Sequence, residues 1–155
     1  MAEAKEFFSA AKHALEEVKN TQREAVYEAA KVMGDCMLEN VLVQLFGLGH
    51  GLAFSMELGY RAGGLMPFHQ IKMEDLLLRG VVSPEEANQP DFNDRTDLAD
   101  KLWNMYNIDD HDMFILISNP ANNGVIVEFA KKIKEKGRKL IVVTSKAEAE
   151  ASVSR

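Results

Sequence analysis

Apolar positions recur every three or four residues at the start of the chain: Phe7, Phe8, Ala11, Leu15 and Val18, then Val26, Ala29, Ala30, Met33 and Met37. That spacing lays an apolar stripe along a helix, so residues 3–39 are predicted helical. Thr21-Gln-Arg-Glu24 has the form of a capping box, which predicts two helices with a break near Asn20, and Glu39-Asn40 ends the second. The helical period then disappears. Val41–Phe46 is predicted as strand 1, and a helix follows from about Leu52 to Ala62, stopped by Gly63-Gly64. Met66–Ile71 is a short candidate strand 2, with Pro67 tolerable at its start or edge. Residues 73–95 are irregular, with a helical piece at Glu74–Leu78 and a helix start at Ser83-Pro-Glu-Glu86. Asp97 to Tyr106 is amphipathic, Met113–Ile117 is an unbroken apolar strand 3, Val125–Lys136 is a helix closed by Gly137, and Leu140–Val143 is strand 4. Strands alternating with helices, two of them apolar without polar alternation, predict an α/β doubly wound parallel sheet covered on both faces. Its order would be 2-1-3-4, with helices on both faces and two leading helices.

Length and composition narrow the class. At 155 residues the expectation is a single domain, 1–155, large enough to bury a core. With 46% hydrophobic and 27% charged residues, the chain is an ordinary globular sequence. Net charge is −6 without a basic cluster, which argues against a nucleic-acid partner. The lone Cys36, among Val32, Met33 and Met37, excludes an internal disulfide and a zinc cysteine cluster, and reads as a buried thiol. No metal and no cofactor is expected. The charged start Met-Ala-Glu-Ala-Lys-Glu is not a signal peptide, and no apolar run approaches a membrane span, so the expectation is a cytoplasmic protein that does not enter a membrane.

The chemistry concentrates at two strand-to-helix junctions. Strand 1 runs into Gly47-Leu-Gly-His-Gly51, and glycines let backbone turn tightly and approach a ligand closely. The first N–H groups of a following helix lack partners inside it, so such a turn suits an anion. Strand 3 runs into Ser118-Asn-Pro-Ala-Asn-Asn-Gly124, rich in hydroxyls and amides, with Asn122 or Asn123 expected as helix cap. In a doubly wound sheet, ligands bind where the winding switches. With order 2-1-3-4 that point lies between strands 1 and 3, and the two turns would face each other there. Thr144-Ser145 after strand 4 would extend the rim. A dinucleotide turn is the competing reading, but Leu52 occupies the position that wants a small residue, and Phe68-His69-Gln70 ends strand 2 without a ribose-holding acid. His50, between two glycines, is a candidate contact. His13, His69 and His111 read as structural or solvated, with only His69 near enough to reach a site. Glu57 lies about two turns into the helix beside Ala53 and Tyr60, and a buried carboxylate of raised pKa is the expectation worth testing. The Lys131–Lys136 run reads as a solvated face.

Taken together, Leu45-Phe-Gly-Leu-Gly-His50, Glu57-Leu-Gly-Tyr-Arg-Ala-Gly-Gly64, Ile117-Ser-Asn119 and Val142-Val-Thr-Ser145 resemble a SIS (sugar isomerase) domain, in the phosphosugar-binding branch similar to phosphoheptose isomerases. The resemblance covers nearly the whole chain and is most specific from Gly47 through Gly64. It implies a five-stranded parallel sheet, a sugar phosphate bound by the turns after strands 1 and 3, and a site at a homodimer interface. It also implies aldose–ketose isomerisation with Glu57 as base; a non-catalytic sugar-phosphate sensor is the alternative. The substrate-binding residues would be Gly47, Leu48, Gly49, His50, Gly51, Ser118, Asn119, Asn122, Asn123, Thr144 and Ser145. Residues 3–39 carry more apolar positions than one sheet face needs, which points the same way, to a dimer packed through these helices.

The departures from the family pattern are specific. Gly51 stands where a Ser is usual, and Pro120 and Ala121 replace the second Ser and the Gly of Ser-x-Ser-Gly. Each missing hydrogen bond to a charged group would weaken phosphate binding by roughly 1.5–3 kcal/mol. The chain stops at Arg155, just past strand 4, so the expectation is a C-terminally truncated domain: a fragment, one part of a split protein or a degenerate copy.

Overall fold

The computed structural model describes residues 3–39, 41–119 and 121–152. Its contacts divide the chain into two compact units, Met1–Asp35 and Cys36–Arg155. The first consists of α1 (Ala4–Thr21) and the greater part of α2 (Arg23–Leu38). The break falls at Gln22, two residues beyond the expected one, and Thr21 does not open a capping box. Its hydroxyl donates instead to the Glu17 carbonyl at 2.8 Å, closing α1. A capping box does form at the other end of α1, between Glu3 and Glu6. No α1 residue is buried, and Phe7, Phe8, Leu15 and Val18 are all more than half exposed.

The second unit is built on four parallel strands, β1 (Val43–Gly47), β2 (Phe68–Ile71), β3 (Met113–Ile117) and β4 (Leu140–Val143), in the order β2-β1-β3-β4. Every residue of β1 and β3 is buried, as expected for central strands of a parallel sheet. β4 departs from the expected two-sided burial: it is an edge strand, with Val142 and Val143 50% and 41% exposed. Alternation divides the sheet into two faces. Phe46, Phe114 and Leu116 join α6 (Leu98–Met105) and α7 (Gly124–Glu135) in the main core. There Phe46 meets Phe129 edge to face at 5.1 Å, and Trp103 stacks on Phe114 at 5.5 Å. The opposite face lies under α3 (His50–Tyr60), where Gly59 passes so close to Leu45 that an added Cβ would already be in contact.

Between β2 and β3 the chain makes α4 (Glu74–Leu78), α5 (Pro84–Ala87) and a 3-10 turn at Phe92–Asp94. Ser83 and Glu86 form a capping box at the start of α5. Cys36 is 1% exposed, with Lys139 Nζ 3.4 Å from its sulfur. A short final helix, α8 (Lys146–Ala151), was not expected from the sequence.

Candidate functional site

The glycine turn is fixed by contact rather than by flexibility. An added Cβ at Gly47 would fall on the Gly51 carbonyl, and one at Gly51 would fall on the Ile117 carbonyl at the end of β3. Gly49 adopts φ +54°, in the left-handed region. The turn after β1 is therefore pressed against the end of β3, and Gly47 pairs in register with Ile117. A side chain at Gly51 has no room.

α3 starts at His50, two residues earlier than expected, and the turn itself takes up two of the anticipated free donors. Gly51 N–H donates to the Leu48 carbonyl at 2.8 Å and Leu52 N–H to the Gly49 carbonyl at 3.1 Å. The Gly49 and His50 N–H groups remain without an acceptor among the described residues. The Leu48 side chain packs on the main core, so only its backbone can face a ligand. His50 is exposed.

After β3, Ser118 is 3% exposed and its N–H donates to the Val143 carbonyl at 3.1 Å, so the turns after β3 and β4 are neighbours. Asn119 is exposed; Asn122 and Asn123 are partly buried. Ala121 holds φ +63°, the left-handed backbone that the family's glycine adopts without strain. Pro120 lies outside the described residues. Asn123 stands at the start of α7 but makes no side-chain cap. Its amide instead donates to Asp94 Oδ1 at 2.9 Å. Asp94 is thus bonded to the start of α7, and its 29-residue separation from Asn123 hid the link. Ser145 opens α8, its hydroxyl accepting from Glu148 N–H at 3.4 Å, and Thr144 is exposed. A cavity of about 510 Å³ touches Ser118 and Ala121. Its walls include Ile126, Ala130 and Val142, so it opens toward α7 and β4 and not over the glycines.

Glu57 is not buried. Its side chain is 66% exposed and pairs with Arg61 one helical turn on, at 3.6 Å. It shares the outer surface of α3 with Phe54, Met56 and Tyr60, each 47% or more exposed. The Tyr60 hydroxyl holds Lys72 above the usual lysine pKa, and the Lys72 ammonium lies 5.1 Å from the Tyr60 ring centre. His13 and His111 are exposed, as expected.

The SIS domain family model matches residues 6–145. The chain belongs to the SIS domain family. This SIS domain is 32% identical over 149 residues to a UPF0309 protein of Listeria monocytogenes, covering 96% of the chain and 58% of that relative. It is 34% identical over 140 residues to a UPF0309 protein of a Geobacillus species, covering 90% of the chain and 55% of the relative. The chain thus spans somewhat over half the length of the curated relatives it matches. Among solved structures, the phosphoheptose isomerase of Neisseria gonorrhoeae superposes with a TM-score of 0.70 at 17% identity, covering 95% of this chain and 77% of that one. The phosphoheptose isomerase of Francisella tularensis gives 0.64 at 19% identity, covering 89% and 71%. At such identities the likeness is one of fold. No helix among the described residues is long and apolar enough to cross a membrane.

Proposed function

We propose that this SIS domain binds a sugar phosphate between the turns after β1 and β3, and that it works in the cytoplasm as a homodimer. The observation that carries the reading is the packing of Gly51 against the Ile117 carbonyl, which brings the two turns together at the switch point of the sheet. The Gly49 and His50 N–H groups, with Ser118, Asn119 and Asn122, face the phosphate. Asn123 shapes that side through Asp94, and Thr144 and Ser145 form the outer rim. The reaction is aldose–ketose isomerisation. Glu57 removes the proton from the carbon bearing the hydroxyl beside the carbonyl and returns it to the former carbonyl carbon, while the hydroxyl proton passes to the former carbonyl oxygen. A partner subunit over α3 encloses that carboxylate.

The second reading is a non-catalytic sugar-phosphate sensor. It is favoured by the exposure of Glu57, its ion pair with Arg61, and the absence of hydroxyls at Gly51 and Pro120. Incubation with aldose and ketose phosphates in deuterium oxide separates the two. Isomerisation incorporates deuterium at the first carbon of the ketose and the second carbon of the aldose, and Glu57→Gln lowers that rate by about 10²–10⁴-fold without a matching loss of affinity. Binding without incorporation supports the sensor. If no sugar phosphate raises the melting temperature at millimolar concentration, the binding reading fails, since a ligand at about 100 times its Kd stabilises by about 2.7 kcal/mol.

A further inference from the structure

The amino end of the sheet carries a second cluster of reactive side chains, away from the strand turns. Asp112, just ahead of β3, is 2% exposed. Its carboxylate accepts from the Leu42 N–H at 3.2 Å, the Asp109 N–H at 3.1 Å and Gln44 Nε2 at 2.7 Å. Because a carboxylate only accepts, Gln44 must turn its NH₂ toward Asp112 and its oxygen toward its other neighbour, Nδ1 of His69, at 2.7 Å. The amide oxygen in turn only accepts, so His69 Nδ1 carries a hydrogen, and Nε2 is the free acceptor of the neutral ring. Gln44 is 1% exposed. Two buried side chains thus fix the tautomer of one exposed imidazole.

The surroundings hold the ring as well. Tyr106 meets His69 edge to face, with centroids 5.5 Å apart. Burial and the Asp75 carboxylate push the Tyr106 phenol well above its ordinary pKa, so it keeps its proton and donates it to Asp75, while accepting from the Lys72 N–H at 2.9 Å. Beside this pair a cavity of about 360 Å³ is lined by Leu42, His69, Arg79, Met105, Tyr106 and Asn107. The Arg79 guanidinium lies 5.4 Å from the Tyr106 ring centre and donates through Nη1 to the Met105 carbonyl at 3.2 Å, which leaves most of its five N–H groups for another acceptor. A fixed acceptor nitrogen and a cationic donor on one cavity make a matched pair.

We propose that this cavity is a second ligand site, selective for a small oxyanion that retains a hydroxyl or an acid proton. Arg79 donates to the anionic oxygens, and His69 Nε2 accepts from the ligand's O–H. Hydrogen phosphate and a 2-hydroxycarboxylate share that chemistry. The site is independent of the sugar-phosphate reading, since no residue of the strand turns lines it.

Long-range ¹H–¹⁵N spectra of the imidazoles, taken above the ordinary histidine pKa, test it. The chain is titrated with inorganic phosphate in one arm and glycolate in the other, at ionic strength held constant with chloride. His69 is expected in the Nδ1–H form, with a saturable shift in at least one arm, and that arm identifies the source of the anion. Arg79→Gln should weaken the response at least about fivefold, the loss of one charge-assisted hydrogen bond, while the Gly49 and Gly51 amides respond as before. Shifts that do not saturate, shifts unchanged in Arg79→Gln, or a His69 ring protonated on Nε2 overturn the proposal.

Discussion

Single atoms decide the shape of the candidate site. A methyl group at Gly51 has nowhere to go, because its position is taken by the Ile117 carbonyl. Gly51→Ala is therefore expected to destabilise the fold by about 2–3 kcal/mol, the cost of forcing backbone apart in a packed interior. Urea midpoints check this, with Gly34→Ala, where an added Cβ meets nothing within 4 Å, as the control. Equal midpoints for Gly51→Ala and the unsubstituted chain would show that the turn is loose. At this scale the sequence was half legible. Three glycines in five residues announced a close approach, but not which atoms approach. Glu57 misled, because Ala53 and Tyr60, which suggested a covered face, are themselves exposed. The hydrogen bond from Gln44 to Asp112 crosses 68 positions, and no local pattern encodes it.

Among the elements, those with an unbroken apolar run or a strong stripe were legible: β3, α6 and α7 lie within two residues of the sequence reading. α8 was not, because Lys146-Ala-Glu-Ala-Glu carries no apolar stripe and owes its start to the Ser145 cap. The stretch around α5 adds charge to the packing of Val82, Ala87 and Phe92 on the main core. Arg95 donates to Asp97 at 2.7 Å and to Glu86 at 3.0 Å. It is the main cause of the lowered Asp97 pKa; the lowered Glu86 pKa owes more to the Ser83 N–H, with Arg95 second. Carboxylates held below their ordinary value stabilise the fold above about pH 4, and that contribution is lost as the pH falls through the lowered values. Arg95→Met should thus lower the urea midpoint near neutrality and lower it less in acid, as the pH falls through the lowered values. A deficit of the same size in acid as near neutrality would assign the role of Arg95 to packing.

For the whole molecule, the strand order and the switch point were readable because both depend on the alternation of element types along the chain. The family was readable from its resemblance at the motifs from Leu45 to Gly64 and after strands 3 and 4. α1 has no buried residue, and Phe7, Phe8, Leu15 and Val18 leave a wide apolar stripe in water. Exposed apolar area of this kind is costly unless something covers it. Light scattering at micromolar concentration is expected to give the mass of at least two chains, and paired charges such as Phe8→Glu with Leu15→Glu should return it to one. A single-chain mass for the unsubstituted protein would count against both the dimer and the enclosed Glu57.

The edge position of β4 has a separate consequence for the lifetime of the protein in solution. Among the described residues, one flank of Leu140–Val143 faces no strand, and two of its valines are open to solvent. Such a flank is a template for extended chain from any neighbour. Every copy carries a net charge of −6, and that like charge keeps approaching copies apart. At low ionic strength that repulsion protects the solution; in concentrated salt, where the repulsion is screened, slow growth of β-rich aggregates should begin at this edge.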